Sequence, residues 1–169
     1  MSNTKKLVVV SLLIAMDVIL TRFFAFQTPL VRISFNFIAL AVAGALFGPV
    51  TAGVAAVLSD VIGMTLFPYG TFFPGFTLSA FLRGVTYGFF FYKKNIDIKS
   101  ILISSAIVAF GIGLVLTSLW LTMTVGTPYI NLLQVRAIPS LITFAAQVII
   151  LTVILNRIVK TSKSLLREY

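Results

Sequence analysis

Six long apolar runs divide the chain, and short segments rich in polar residues, proline or glycine separate them. The runs cover about residues 6–26, 33–47, 49–66, 75–92, 100–123 and 135–159. A helix that crosses a bilayer needs about twenty predominantly apolar residues. The pattern therefore predicts an all-α membrane protein with six transmembrane helices, in which residues 1–169 form a single domain. The second and third helices are short, as expected for helices that pack around a cavity inside a bundle.

The breaks between the runs predict turns on alternate sides of the membrane. Gly48 and Pro49 predict a tight turn, because proline is favoured in the first turn of a helix. Two prolines and two glycines in residues 67–75 exclude a continuous helix there. Residues 93–99 form a clearly polar loop, and residues 124–134 are predicted to form a further loop. Six crossings place both chain termini on one side.

Composition agrees with a membrane protein and excludes several kinds of chemistry. Hydrophobic residues make up 59% of the chain and charged residues only 10%, whereas soluble domains contain about 25% charged residues. The chain has no cysteine and no histidine, which removes disulfides, thiolate or histidine catalysis and nearly all zinc sites. No phosphate-binding GxxxxGK[ST] loop occurs. We therefore expect a protein that uses no metal or cofactor.

Most basic residues lie on one side of the six predicted helices. These are Lys5, Lys6, Lys93, Lys94, Lys99, Arg157, Lys160, Lys163 and Arg167. Lysine and arginine concentrate on the cytoplasmic side of membrane proteins, so both termini are predicted to be cytoplasmic. Because the clusters lie beside apolar runs, the net charge of +9 indicates contact with anionic lipid headgroups rather than with nucleic acid.

The remaining basic residues are all arginines at or below the opposite, outer ends of the helices. They are Arg22, Arg32, Arg83 and Arg136. A charge at membrane depth is costly and marks a functional site by default. Arginine presents a planar fork of donors that matches a carboxylate. We therefore hypothesise that the protein captures an anionic organic molecule from outside the cell, and that these arginines bind its anionic and carbonyl groups.

Asp60 and Arg83 occupy similar depths in the third and fourth predicted helices. At about 1.5 Å of rise per residue, both lie roughly 9–12 Å below the outer helix ends. We expect them to form a structural ion pair, to face a ligand cavity, or both. In a cavity, Asp60 would accept hydrogen bonds from an amino-substituted heterocycle. Asp17 lies near mid-membrane and is expected to pair with an arginine on another helix rather than to bind ligand.

Aromatic residues cluster at the outer loop between the third and fourth helices and near the outer end of the fifth. They are Tyr69, Phe72, Phe73, Phe76 and Trp120. Single aromatic residues at the interface commonly form a membrane belt. Because this cluster lies at a loop broken by proline and glycine, we interpret it as a lid or a stacking wall for a flat ring.

Small residues at four-residue spacing let helices approach closely in lipid. Ser11 and Ala15 form such a pair in the first helix, and one face of that helix can remain outside a six-helix bundle. The pair either packs within this chain or docks another membrane subunit.

Three segments resemble a known family. Residues 67–88, FPYGTFFPGFTLSAFLRGVTYG, are similar to a loop and helix of the folate-specific S components of energy-coupling factor (ECF) vitamin transporters. Residues 20–24, LTRFF, and 31–35, VRISF, resemble the first outer loop of those proteins. FFPGFT is the most specific part, and the resemblance extends over essentially the whole chain as a six-helix pattern.

The resemblance implies a folate pocket that opens outward and is closed by the first, third and fifth loops. It also implies that the chain is a substrate-binding subunit and not an enzyme, with a separate transmembrane coupling subunit and two ATPase subunits in a bacterial plasma membrane. The flat pterin of folate suits the aromatic wall, its N–H donors suit Asp60, and its two carboxylates suit the arginines. The family's docking motif is alanine, three residues, alanine. Here Ile19 follows Ala15 at that spacing, so Ser11 with Ala15 is the expected substitute.

Other functions stay open on the sequence. Another vitamin, such as riboflavin, is the alternative within the same class, whereas cationic thiamine disagrees with four outer arginines. An intramembrane aspartyl hydrolase would need Asp17 and Asp60 to share one site, and Arg83 would neutralise one of them. A self-sufficient channel or exporter is disfavoured by the aromatic outer mouth and the scarcity of carboxylates on the inner side.

Overall fold

The computed structural model of the chain describes residues 3–27, 30–68, 72–94 and 96–167, with the backbone alone at positions 27, 32, 156 and 158–167. The α-helices are α1 (Asn3–Arg22), α2 (Phe37–Phe47), α3 (Pro49–Leu66), α4 (Pro74–Phe91), α5 (Ile98–Ala106), α6 (Thr117–Val125) and α7 (Tyr129–Arg167). A π-helix (Ile107–Leu116) joins α5 and α6 into one continuous element, the fifth span. Two short strands, β1 (Ala25–Gln27) and β2 (Arg32–Ser34), follow α1.

The predicted helical membrane fold is confirmed. Within the described residues, three helices are long and apolar enough to cross a membrane: Pro49–Leu66, Ile98–Val125 and Tyr129–Leu155. Phe37–Phe47 is a shorter apolar helix. The number of crossings and the side on which the termini lie stay predictions.

The two ends of the bundle differ. β1 and β2 pair antiparallel, with Phe26 opposite Ile33. Because successive helices reverse direction, this pair lies at the same end as residues 67–68, 72–73 and 126–128, which we call the hairpin end. The turn at Gly48 and residues 92–94 and 96–97 lie at the opposite end with the start of α1, which we call the termini end.

Three predicted boundaries are wrong at the hairpin end. α2 begins at Phe37 rather than near residue 33, because residues 32–34 form β2. α1 ends at Arg22 rather than near residue 26, because apolar composition alone does not distinguish a short strand from a continued helix. α7 begins at Tyr129 rather than near residue 135, so the predicted loop at 124–134 is much shorter. Gly126, with a φ of 75°, provides the left-handed residue that ends α6.

Glycines let α2, α3 and α4 approach to backbone contact. A Cβ atom on Gly44 of α2 would lie 2.6 Å from the backbone nitrogen of Gly88 in α4. A Cβ atom on Gly84 of α4 would collide with the backbone carbonyl of Ala52 in α3. Such contacts are possible only where small residues face each other. They fix the position of α4, and with it the neighbouring Arg83, against the two preceding helices.

We expect Gly44→Ala to destabilise the protein by about 1–3 kcal/mol, because the added methyl group overlaps backbone atoms that cannot move aside. Thermal unfolding of the purified chain in detergent measures the loss. Gly111→Ala is the matched control, since a Cβ atom there meets Ile107 Cγ2 at 4.0 Å. Equal melting temperatures for the two variants would contradict the close approach of α2 and α4.

Candidate functional site

A cavity of about 350 Å³ lies near the hairpin end, among α1, α3, α4, α6 and α7. This volume falls within the range of about 300–1,000 Å³ that is usual for small-molecule sites. Its polar lining comes from Asp17, Thr21, Ser34, Asn36, Ser59, Asp60, Ser79, Arg83, Thr117, Thr124 and Arg136. The carboxylates of the lining come from α1 and α3, and its guanidinium groups come from α4 and α7.

Two carboxylates form one side of the cavity, which we call the acidic wall. Asp17 of α1 is 5% exposed and accepts a hydrogen bond from Ser59 Oγ of α3. Asp60 accepts a hydrogen bond from Thr77 Oγ1 of α4 at 2.8 Å. Each bond joins two helices and therefore fixes the carboxylate in place. An ionised carboxylate accepts several hydrogen bonds, so both groups can also accept from a ligand.

Arg83 and Arg136 form the basic wall. Arg83 Nη2 donates to Thr117 Oγ1 at 3.4 Å. Arg136 is 8% exposed, and it donates from Nη1 to Ser118 Oγ at 3.2 Å and from Nη2 to the carbonyl of Gly113 at 3.0 Å. All three acceptors are uncharged and belong to the fifth span. A buried cation is costly unless an anion accompanies it, so an anionic ligand group would find a favourable place here.

The π-helix of the fifth span supplies part of this arrangement. Thr117 Oγ1 donates to the carbonyl of Ile112, five residues earlier, at 2.8 Å. The carbonyl oxygen of Gly113 accepts a hydrogen bond from Arg136 Nη2, a donor that lies outside the fifth span. π-helical turns are rare and frequently occur at functional sites. The apolar pattern predicts a regular fifth helix, because the wider turn depends on packing rather than on residue type.

Aromatic rings form a third side, the aromatic wall. Phe72, Phe73 and Phe76 line the cavity. The Phe73 ring lies 6.0 Å from that of Phe76 and 5.7 Å from that of Trp120, measured between centroids. Trp120 packs behind the wall, and its Nε1 donates to Ser79 Oγ at 3.0 Å. The wall is therefore a supported surface against which a flat ring can stack.

Most of the predicted substrate-binding residues come together in this cavity. Those that line it are Asp60, Phe72, Phe73, Phe76, Arg83 and Arg136. Trp120 supports the aromatic wall without lining the cavity. Tyr69 and the side chain of Arg32 lie outside the described residues.

Arg22 lies beside the acidic wall rather than in the cavity lining. Its guanidinium packs over Gly63 of α3, where a Cβ atom would lie 2.8 Å from Nε. It is attracted electrostatically to Asp60 and, less strongly, to Asp17. Among the described residues, its nitrogens have no hydrogen-bond partner. The positive charge of Arg22 therefore offsets the negative charges of Asp60 and Asp17, although Arg22 does not line the cavity.

The predicted direct ion pair between Asp60 and Arg83 is not formed. Asp60 bonds to Thr77 and Arg83 bonds to Thr117, so the attraction between the two charges acts over a longer distance. Equal depth in two helices does not fix the direction of the side chains around each helix axis. The other expectation for this pair, that both face one cavity, agrees with the lining.

Sequence reasoning missed several lining residues, namely Asp17, Ser34, Asn36 and Thr117. For Asp17 a signal existed, because Thr21 follows four residues later on the same helix face. Ser34 ends β2 and Asn36 follows it, and Ser34 Oγ donates to Asn36 Oδ1 at 2.9 Å. Their position depends on the hairpin, which the apolar pattern does not predict.

We expect Ser59→Ala to lower the free energy of unfolding by about 1–3 kcal/mol, because Asp17 loses a donor in a buried setting. Thr65→Ala is the control on the same helix, since its exposed hydroxyl bonds to the carbonyl of Val61 at 2.8 Å. Thermal unfolding in detergent compares the two variants. A loss no larger than that of the control would contradict a structural role for the bond between Ser59 and Asp17.

Comparison with known proteins places the chain in a family. The profile of the family described as "ECF-type riboflavin transporter, S component" matches residues 1–163. The chain is 37% identical over 151 residues to the folate transporter FolT of Clostridium novyi (strain NT), covering 89% of this chain and 88% of that protein. It is 28% identical over 162 residues to the FolT of Leuconostoc mesenteroides subsp. mesenteroides, covering 91% and 86%.

Solved structures agree with this result. A crystal structure of FolT bound with folic acid matches with a TM-score of 0.83 and 40% identity, over 87% of this chain and 90% of that one. The S component of a bacterial ECF transporter matches with a TM-score of 0.68 and 20% identity, over 96% and 99%. The second match supports the fold alone.

The fold and the family match therefore define a membrane-embedded transporter component rather than an enzyme. The chain belongs to the family of ECF transporter S components. This membership confirms the class that the sequence resemblance implies, together with a location in the bacterial cell membrane.

Proposed function

We propose that this chain is the folate-binding transmembrane subunit of an ATP-driven ECF importer, and that it captures folate from outside the cell. The observation that carries the proposal is one cavity in which acidic, basic and aromatic walls meet. The similarity to FolT proteins supports folate as the cargo, since one of the matching structures holds folic acid. In this proposal the hairpin end faces outward, six helices cross the membrane, and both termini are cytoplasmic.

The pterin ring is proposed to bind between the aromatic and acidic walls. Phe73 and Phe76 offer faces and edges for stacking on a flat ring. Asp60 and Asp17 accept hydrogen bonds, and the amino and ring N–H groups of a pterin donate them. A hydrogen-bonded ring edge is a strong source of selectivity, because an analogue without the donors leaves buried acceptors unsatisfied.

Arg83 and Arg136 are proposed to bind the anionic and carbonyl groups of folate. Their present partners are a threonine, a serine and a backbone carbonyl. A carboxylate forms stronger, charge-assisted hydrogen bonds with a guanidinium than these neutral oxygens do. Arg32 and Tyr69, whose side chains are not described, stay candidates for the outer part of the site. Arg22 is proposed to stabilise the acidic wall.

Transport is proposed to need a transmembrane coupling subunit and two ATPase subunits. Membership of the ECF family supports an ECF module as the partner. Ser11 and Ala15 are exposed on α1, and the neighbouring Leu12 and Ile19 are 65% and 47% exposed. This face of small and apolar side chains is available to another helix within the membrane.

Riboflavin is the second candidate cargo. The family profile is named for a riboflavin transporter, and riboflavin also carries a fused flat ring that would suit the aromatic wall. It has no carboxylate to accompany Arg83 and Arg136, so the basic wall favours folate. Competition between the two vitamins decides between them.

We expect calorimetric titration of the detergent-purified chain with folate to give one-to-one binding. Arg83→Ala should weaken this binding by more than about tenfold, equivalent to about 1.4 kcal/mol, because a buried carboxylate loses its charged partner. Arg157→Ala, at an exposed position on α7, is the control that preserves binding. Absence of folate binding by the wild-type chain would refute folate as the cargo, and tighter binding of riboflavin would favour the alternative.

The docking proposal has a separate test. Ala15→Leu should leave folate binding in detergent unchanged but lower uptake in vesicles containing the coupling module by about tenfold, because a large side chain blocks close helix approach. Val153→Leu is the control, since Val153 is 58% exposed on α7 and away from this face. Normal uptake by the Ala15→Leu variant would mean that the coupling module docks on another surface of the chain. Uptake by the chain without any partner subunit would refute its role as a subunit of a larger transporter.

A further inference from the structure

A second, smaller chamber of about 60 Å³ lies on the termini side of the basic wall. We call it the inner chamber. Arg83 and Arg136 line both this chamber and the larger cavity. Tyr87 lies one helical turn beyond Arg83 on α4, and Gln147 lies three turns beyond Arg136 on α7, and both line only the inner chamber. The aromatic and acidic walls do not reach it.

The inner chamber has an excess of positive charge. Its described lining contains the two guanidinium groups and no carboxylate. Asp17 and Asp60 line only the larger cavity. Arg136 is 8% exposed and bonds only to neutral acceptors among the described residues, and it is repelled electrostatically by Arg83. Two like charges in a poorly solvated setting are costly unless a negative charge lies between them.

Polar groups at the inner chamber are also left with hydrogen-bonding capacity. The Tyr87 hydroxyl, on a residue that is 0% exposed, and Arg83 Nε have no hydrogen-bond partner within the described residues. The same is true of Oε1 of Gln147, a residue that is 3% exposed. Buried polar groups in native proteins are nearly always satisfied by protein, water or an ion. The Tyr87 hydroxyl and the Arg83 N–H groups are donors, as an anion requires, whereas Gln147 Oε1 is an acceptor and does not contact the anion.

The size of the inner chamber limits its occupant. A cavity needs about 10–15 Å³ by a comparable measure to hold one water molecule. The 60 Å³ of the inner chamber therefore admits a few water-sized particles and excludes a fused vitamin ring. We propose that the inner chamber is a binding site for a small inorganic anion of the halide class, held by Arg83, Arg136 and the Tyr87 hydroxyl.

The site has a consequence for the larger cavity. In the ligand-free protein the halide offsets the repulsion between the two guanidinium groups and stabilises the bundle. An anionic ligand in the larger cavity uses the same two arginines, so halide and ligand compete. The effect on the ligand-free protein does not depend on the identity of the cargo.

The test compares the ligand-free, full-length protein in sodium chloride and in sodium gluconate at equal ionic strength. We expect a saturable rise in melting temperature with chloride or bromide, because binding to the folded state alone stabilises it by mass action. Arg136→Gln should abolish the rise, whereas Arg157→Gln should preserve it. Chloride-35 NMR line broadening reports binding directly and does not rely on the stability of any variant.

Tyr87→Phe provides a second variant that removes a single hydroxyl and leaves both charges. We expect it to weaken halide binding by about tenfold, the effect of one hydrogen bond to a charged group. Equal melting temperatures in chloride and gluconate, or a halide response that survives both Arg136→Gln and Tyr87→Phe, would overturn the anion site. Folate titrations in gluconate separate the two proposals: folate binding without a halide effect refutes only the inner site, and halide binding without folate binding refutes only the proposed cargo.

Discussion

The charges of the part-buried Arg83 and the buried Arg136, held by uncharged oxygens, determine the character of this protein. Taking a guanidinium group out of water costs several kcal/mol of free energy. Hydrogen bonds to Thr117, Ser118 and the carbonyl of Gly113, all in the fifth span, offset only part of that cost. The carboxylates of α1 and α3 bond to other partners and stay on a different wall. The cavity is therefore polarised, with negative charge on one side and positive charge on another, and it suits a ligand that carries donors at one end and carboxylates at the other.

This separation of charge depends on a rigid framework. Gly44, Gly84 and Gly88 let α4 lie against the backbones of α2 and α3, and the bond between Thr77 and Asp60 joins α3 to α4 at the cavity. If these helices could slide, the two walls would approach and neutralise each other, because an ion pair without water is favourable once both charges are already buried. Close packing thus preserves the electrostatic asymmetry that the site uses.

The sequence predicts some of these features well and others poorly, for physical reasons. α3 has the predicted bounds, Pro49 to Leu66, because Gly48 and Pro49 mark its start locally. Arg83 and Arg136 are identifiable because a charge within an apolar run stands out. The bond between Asp17 and Ser59 joins residues 42 positions apart, and no local pattern reveals it. The hairpin and the π-helix likewise depend on contacts between elements rather than on their own composition.

The family relationship determines the fold more firmly than it determines the cargo. An S component with 20% identity shares the architecture, and the matching family profile is named for riboflavin, whereas the FolT relatives are named for folate. An uncharged ligand would leave two desolvated guanidinium groups without an anion, a penalty that recurs in every binding event. For this chain the basic wall, rather than the bundle, is the feature that supports the proposed preference for an anionic vitamin.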